Sequence, residues 1–184
     1  MLSCLRAAGV LLVLFTLLLG LAYPLAMTGL ASAAFPRQAG GSLLTDNGTV
    51  IGSALIGQAF ASDGYFHPRP SASGHDAMAS GGSNLGPLSK RLMERVSGHL
   101  AAQPSPLAVP ADAVTASASG LDPDISPANA LAQVARVAAA RNLPADRVAA
   151  LVADHTAGRL FGLIGEPRVN VLALNLALDK MPAN

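Results

Sequence analysis

Ala7-Ala-Gly-Val-Leu-Leu-Val-Leu-Phe-Thr-Leu-Leu-Leu-Gly-Leu-Ala-Tyr-Pro-Leu-Ala-Met-Thr-Gly-Leu30 lies inside a gap with no charged residue, which runs from Arg6 to Arg37. A hydrocarbon core of ~30 Å needs about 20 helical residues to cross it, and this run supplies them with some to spare. Inside lipid a single segment satisfies its own backbone N–H and C=O groups only as a helix. Pro24 falls toward the far end, where one lost helical bond does least harm. Tyr23 beside it suits the headgroup level, apolar in its ring and polar at its tip. Thr16, Gly20, Thr28 and Gly29 add small or hydroxylated positions that let another helix approach closely.

A signal peptide is the rival reading. Arg6 makes a basic start, Val10 to Leu21 an apolar centre, and Ala31-Ser32-Ala33 fits the small-x-small cleavage pattern. The apolar run continues through Leu25, Met27 and Leu30, past the ~7–15 residues of a typical signal core, which favours an anchor. A cleaved chain would be a free periplasmic binding module, with the long loop after residue 56 as its ligand surface. Both readings deliver the rest of the chain across the membrane, because the positive end (the amino group and Arg6) stays in the cytoplasm. The expected division is a cytoplasmic stub and anchor over residues 1–34 and one extracytoplasmic domain over 35–184.

The net charge of +1 leaves neither a nucleic-acid footprint nor an acidic tail. Cys4, the only cysteine, precedes the apolar run and has no partner for an internal disulfide. An exported domain of this kind holds together by packing or by a partner.

After the anchor, Ser42–Thr45 and Thr49–Ile56 flank Asp46-Asn47-Gly48, a hairpin signal, because Asn-Gly accepts the positive φ values of a tight turn. Gly57–Asn84, rich in Gly, Ser, Pro and His, is too long for a connector and reads as an ordered functional loop. Pro87–Leu100 reads as a helix from the spacing of Leu88, Leu92, Val96 and Leu100, capped by Ser83 or Asn84 with Pro87 in its first turn. Ala101–Pro110 is a proline-bearing connector and Val114–Ala118 a short strand. Ser126-Pro127 starts a helix with Leu131, Val134, Val137 and Ala138 on one face, ending near Asn142. Pro144 opens another, with Val148, Leu151, Val152 and His155 in a stripe. Val169–Leu178 is strand then helix or one of the two, which periodicity does not decide. The expected fold is α+β, a single N-terminal transmembrane helix followed by one external mixed domain.

The chemistry is sparse. There is no G-x-x-x-x-G-K-[ST] loop and no G-x-S-x-G turn, so neither an ordinary ATPase phosphate loop nor that class of serine hydrolase is present. His67, His75, His99 and His155 lack close metal-site spacing, and no catalytic or metal residue is assigned. His155 reads as a hydrogen-bonded packing residue. Asp122 and Asp124 suit either a cation or turn and capping roles. Ser80-Gly-Gly-Ser-Asn-Leu-Gly-Pro87, just ahead of a helix, suits an anion through freed backbone N–H groups, or a tightly packed loop that needs glycine. The candidate residues are Ser80, Gly81, Gly82, Ser83, Asn84 and Gly86, as a nucleotide or docking loop.

These stretches, with others, resemble the C-subunit family of the Kdp high-affinity potassium-transporting ATPase. Tyr23-Pro24-Leu25, Gly41-Ser42-Leu43, Gly52-Ser53, Leu55-Ile56-Gly57-Gln58 and Phe60 match, as do Tyr65-Phe66-His67-Pro68-Arg69-Pro70-Ser71-Ala72 and Ser80–Pro87. So do Val114–Ser117, Ser119–Pro127, Gln133-Val134, Arg136-Val137, His155-Thr156, Gly165–Leu172 and Leu174-Asn175. His75 stands where the family usually has Tyr, Gly40 where Asn is usual and Ala118 where Gly is usual.

The resemblance implies a non-catalytic subunit of an inner-membrane pump, single-pass, with its amino terminus cytoplasmic and its C-terminal domain periplasmic. Its implied partners are a P-type ATPase subunit, a channel-like potassium-binding subunit and membrane lipid, with no nucleic acid. It implies no cofactor of the chain's own; ATP and K⁺ act through the complex. The family's proposed role, a catalytic chaperone that raises the pump's ATP affinity, draws on the likeness of Ser80-Gly81-Gly82-Ser83 to the signature loop of ABC transporters. Charge bias places the domain outside while ATP is bound inside, so assistance to nucleotide binding and stabilisation of the complex over the external K⁺ entrance both stay open.

Overall fold

The computed structural model describes residues 2–102 and 109–182. The connector expected over Ala101–Pro110 therefore lies largely outside the described residues. The chain separates into two compact units, residues 1–50 and 51–184.

In the first unit a helix runs without interruption from Leu2 to Ala34, long and apolar enough to cross a membrane. It comprises α1 (Leu2–Leu17), a π segment (Leu18–Ala22) and α2 (Tyr23–Ala34). The π segment has a cause in the sequence. Proline has no N–H to donate and its ring crowds the carbonyl four residues earlier. The helix widens just before Pro24, and the Tyr23 N–H reaches back to the Leu18 carbonyl instead of the usual acceptor four residues earlier. Thr28 Oγ1 donates to the Pro24 carbonyl at 2.8 Å. None of the helix's side chains is buried. Phe35 leaves the helical region, and a short turn, α3 (Pro36–Ala39), follows.

The hairpin falls where Asn-Gly places it. β1 (Leu43–Asp46) and β2 (Thr49–Ser53) pair across Asn47 and Gly48, whose φ values are 47° and 81°. The second strand stops at Ser53.

In the second unit, residues 54–89 form one long excursion without helix or strand. Then come α4 (Lys90–Ala101), α5 (Ala111–Val114), β3 (Asp124–Ile125), α6 (Pro127–Arg141), α7 (Ala145–Asp154), β4 (Thr156–Ala157), β5 (Arg168–Asn170) and α8 (Val171–Asp179). The three short strands make an antiparallel sheet in the order β3-β5-β4, with Ile125 opposite Val169 and Thr156 opposite Val169 on the other side. Mixed helix and strand content is thus observed, with the tail of the chain resolved as strand then helix.

Two expectations are corrected. α4 starts at Lys90 with Ser89 as its N-cap residue, three residues later than the leucine spacing suggested, and neither Ser83 nor Asn84 caps it. Leu88, counted toward the apolar face, is almost wholly exposed. Val114–Ala118 is not a strand: Ala111–Val114 is a turn of helix, held by Thr115 Oγ1 donating back to the Ala111 carbonyl at 2.7 Å. The Thr115 hydroxyl bond to the preceding turn outweighs the extended preference of the β-branched Val114.

α6 begins and ends as its sequence dictates. Ser126 Oγ accepts the Asn129 N–H at 3.1 Å, Pro127 occupies the first turn, and Asn142 closes the helix in the left-handed region at φ 54°. Asp112 lies at the same N-terminus, accepting from the Ser126 N–H, the Ser126 hydroxyl and Asn129 Nδ2 at 2.7, 2.9 and 3.1 Å. A carboxylate there also meets the positive end of the helix dipole.

The core gathers Val134, Val137 and Ala138 of α6, Val148 and Val152 of α7, Val169 of β5, and Leu174 and Leu178 of α8. Alanines at 130 and 138 keep the α6 surface shallow, so neighbouring elements approach closely. Phe66, from the long excursion, is fully buried in the same cluster. Its burial contributes about 2–3 kcal/mol and ties the excursion to the helices.

Candidate docking loop

The excursion is ordered because side chains of α6 and α8 act as its strand partners. Asn175 of α8 accepts the Phe66 N–H at 2.9 Å and donates to the Phe66 carbonyl at 3.0 Å. Gln133 of α6 does the same for His67, at 2.7 and 3.1 Å. Arg136 donates to the carbonyls of Asp63 and Tyr65 at 2.6 and 3.0 Å. Arg141 donates to Gly64 at 2.6 Å, pairs with Asp179 at 2.7 Å and lies 4.6 Å over the Tyr65 ring. Burial lowers the pKa of Arg136, and the Asp63 carboxylate acts in the opposite direction. The carbonyls of residues 63–65 and both backbone groups of Phe66 and His67 are therefore met although this stretch pairs with no strand.

The far arm of the excursion, which carries Ser80–Gly86, is knotted to residues 117–122. The Gly81 N–H and Ser80 Oγ both donate to the Ser119 carbonyl, at 2.7 and 3.0 Å. Ser71 Oγ donates to the Gly120 carbonyl at 2.7 Å, Ser117 Oγ accepts the Gly120 N–H at 3.1 Å, and the Ser117 N–H donates to Pro70 at 2.9 Å. Gly120 has φ 70°, and a Cβ there would strike Ser73 Oγ. Arg69 pairs with Asp122 at 3.0 Å below this knot.

Glycine at 82 is required by contact rather than by conformation. Its φ is not in the left-handed region, contrary to the freedom expected of it, but a Cβ there would lie 2.7 Å from the Ala118 carbonyl oxygen. At Gly81 and Gly86 a Cβ would meet open space. Asn84 holds the left-handed position instead, at φ 51°. The loop also does not sit on a helix N-terminus, since α4 begins after Ser89. Two of the donors that an anion would use, the Gly81 N–H and the Ser80 hydroxyl, are engaged with Ser119. The arrangement is that of a clasp.

The acidic pair is likewise occupied. Asp122 accepts from Arg69 and from the Asp124 N–H, and Asp124 pairs with Arg168 at 3.1 Å and accepts from Asn170 Nδ2 at 3.2 Å. Burial raises the Asp124 pKa above the usual carboxylate value, against the pull of Asn170 and Arg168, with Asp122 adding to the rise. Among the described residues no group of His, Cys, Asp and Glu is placed to hold a metal ion.

His155 caps α7, with Nδ1 3.0 Å from the Leu151 carbonyl, and is a hydrogen-bonded packing residue as its stripe suggested. His67, His75 and His99 line one cleft of about 440 Å³ together with Arg69, Gln133 and Arg136. Burial lowers the His75 pKa and so favours its neutral form. Sequence spacing could not have joined residues so far apart, nor singled out Asn175, Gln133 and Arg141 as the pins of the loop. A polar Asn between Leu174 and Leu176 was the one available signal.

The family profile described as "KdpC: K+-transporting ATPase, c chain" matches residues 5–180. The chain belongs to the KdpC family. The potassium-transporting ATPase KdpC subunit of Caulobacter vibrioides is 60% identical over 185 residues, covering 97% of this chain and 94% of the relative. That of Bradyrhizobium diazoefficiens is 56% identical over 200 residues, with both chains fully covered. That of Acidobacterium capsulatum is 57% identical over 180 residues, 96% of this chain and 98% of its own. The matched range takes in the apolar helix, which fits a single-pass membrane subunit. The free periplasmic binding module finds no support in these comparisons.

Proposed function

We propose that the chain is a membrane-anchored, non-catalytic subunit of an ATP-driven potassium uptake pump, and that its second unit stabilises the assembled complex. Its partners are then a P-type subunit that hydrolyses ATP and a channel-like subunit that selects K⁺; ATP and K⁺ act through them. The amino terminus and Arg6 are cytoplasmic and residues after about Phe35 are periplasmic, by the bias of positive charge toward the cytoplasm. Ser80–Gly86 is a structural and docking element on this reading.

The observation that carries the docking role is the engagement of Ser80 and Gly81 with the Ser119 carbonyl, which takes up donors a phosphate would need. Directly after Gly86 stands Pro87, where a phosphate-binding loop has its lysine. Affinity purification of the full chain in mild detergent tests the assignment. A P-type ATPase subunit and a channel-like potassium subunit should co-purify; recovery of the chain without them would overturn it.

A further inference from the structure

The connection between β4 and β5 projects four large apolar side chains into solvent. Leu160, Phe161, Leu163 and Ile164 are 60%, 86%, 84% and 65% exposed. The projection is well formed. Leu160 and Ile164 exchange both backbone hydrogen bonds, at 2.9 and 3.0 Å, and Arg159 Nη2 donates to both carboxylate oxygens of Glu166 at 2.9 and 2.7 Å. Between them Phe161 and Gly162 turn the chain with φ values of 53° and 73°.

The same chain makes the same pair of positive φ values elsewhere with Asn47-Gly48. Asn suits the left-handed region; a bulky aromatic there is an outlier. Phe161 thus occupies a position where Asn would be conformationally better, and its ring gains no burial in the isolated chain. Both costs point to a benefit realised on association.

We propose, building on the subunit assignment above, that the 160–164 turn is a docking knob that inserts Phe161 into an uncharged apolar pocket on another subunit of the pump. Charge selects this occupant. The basic side chains at its base are already paired, Arg159 with Glu166 and Arg168 with Asp124, whereas a turn that seats among anionic headgroups uses free cations. A protruding aromatic flanked by leucines has the form of a central anchor within a larger contact.

Two measurements on the full chain in its complex test this. Benzoylphenylalanine in place of Phe161 should, on irradiation, crosslink to another pump subunit; adducts to lipid alone, to a second copy, or none at all would overturn the knob. Phe161→Asn relieves the turn while removing the ring. It should lower the yield of co-purified partner at least about tenfold, while the variant's own thermal midpoint stays level or rises. Full co-purification of Phe161→Asn refutes the knob alone, whereas a wild-type chain that brings down no pump subunit refutes the assignment beneath it.

Discussion

Replacing Asn175 by Leu should release the excursion that carries the clasp. Asn175 is 2% exposed, and its amide makes both hydrogen bonds to the fully buried Phe66 backbone, at 2.9 and 3.0 Å. Leucine fills nearly the same space, so little cavity is left, and the change isolates the polar term. It strands one N–H and one C=O away from water. Each orphan costs roughly 1–3 kcal/mol, so the expected loss is about 2–6 kcal/mol. For a chain of this length that lowers the thermal midpoint by at least about 4 °C. Hydrogen exchange at the Phe66 amide reports the same event locally and should accelerate in step with the loss. Unchanged exchange at Phe66, or a midpoint equal to wild type, would refute the claim that Asn175 stands in for a strand partner.

Other expectations follow from separate parts of the chain. Gly20→Leu, at a position where an added Cβ has no neighbour within 4 Å, should weaken co-purification with the pump while leaving membrane insertion intact; an unchanged yield would mean that the second unit makes the contact alone. A membrane-impermeant maleimide should leave native Cys4 unlabelled in intact cells and label a cysteine introduced at Ala102, and labelling of Cys4 alone would reverse the topology. Asp124 has a raised pKa in the folded chain, so its contribution to stability is present below the ordinary carboxylate value near about 3.9 and is lost as pH rises through the folded value. The stability of Asp124→Asn relative to wild type should therefore increase as pH rises across that window, read from urea midpoints; a difference that stays flat or falls would contradict the assignment.

Local chemistry explains which parts could be read directly. Asn47-Gly48, Ser126-Pro127 and Asn142 each set backbone geometry by themselves, and the hairpin, the start of α6 and its end lie where those residues put them. The apolar run to Leu30 is legible for the same reason, its length and lack of charge being properties of the segment alone. α4 misled because leucine spacing continued through Leu88, while the helix began only after Ser89. The role of Gly82 was hidden because it depends on the Ala118 carbonyl, distant in sequence. The pins at Gln133 and Asn175 were beyond reach for the same reason: a side chain that replaces a strand leaves no periodic trace.

The docking role of Ser80–Gly86 is tested most directly by Gly82→Ala in the purified complex, measuring subunit yield and the ATP concentration for half-maximal hydrolysis together. A methyl group at 82 would lie 2.7 Å from the Ala118 oxygen, so the strand of contacts through Ser119 must shift, at a cost of about 1–3 kcal/mol. The expected result is less assembled complex, with a half-saturating ATP concentration equal to wild type in whatever complex forms. Full assembly with a much higher ATP requirement would contradict the docking account and favour direct assistance to nucleotide binding.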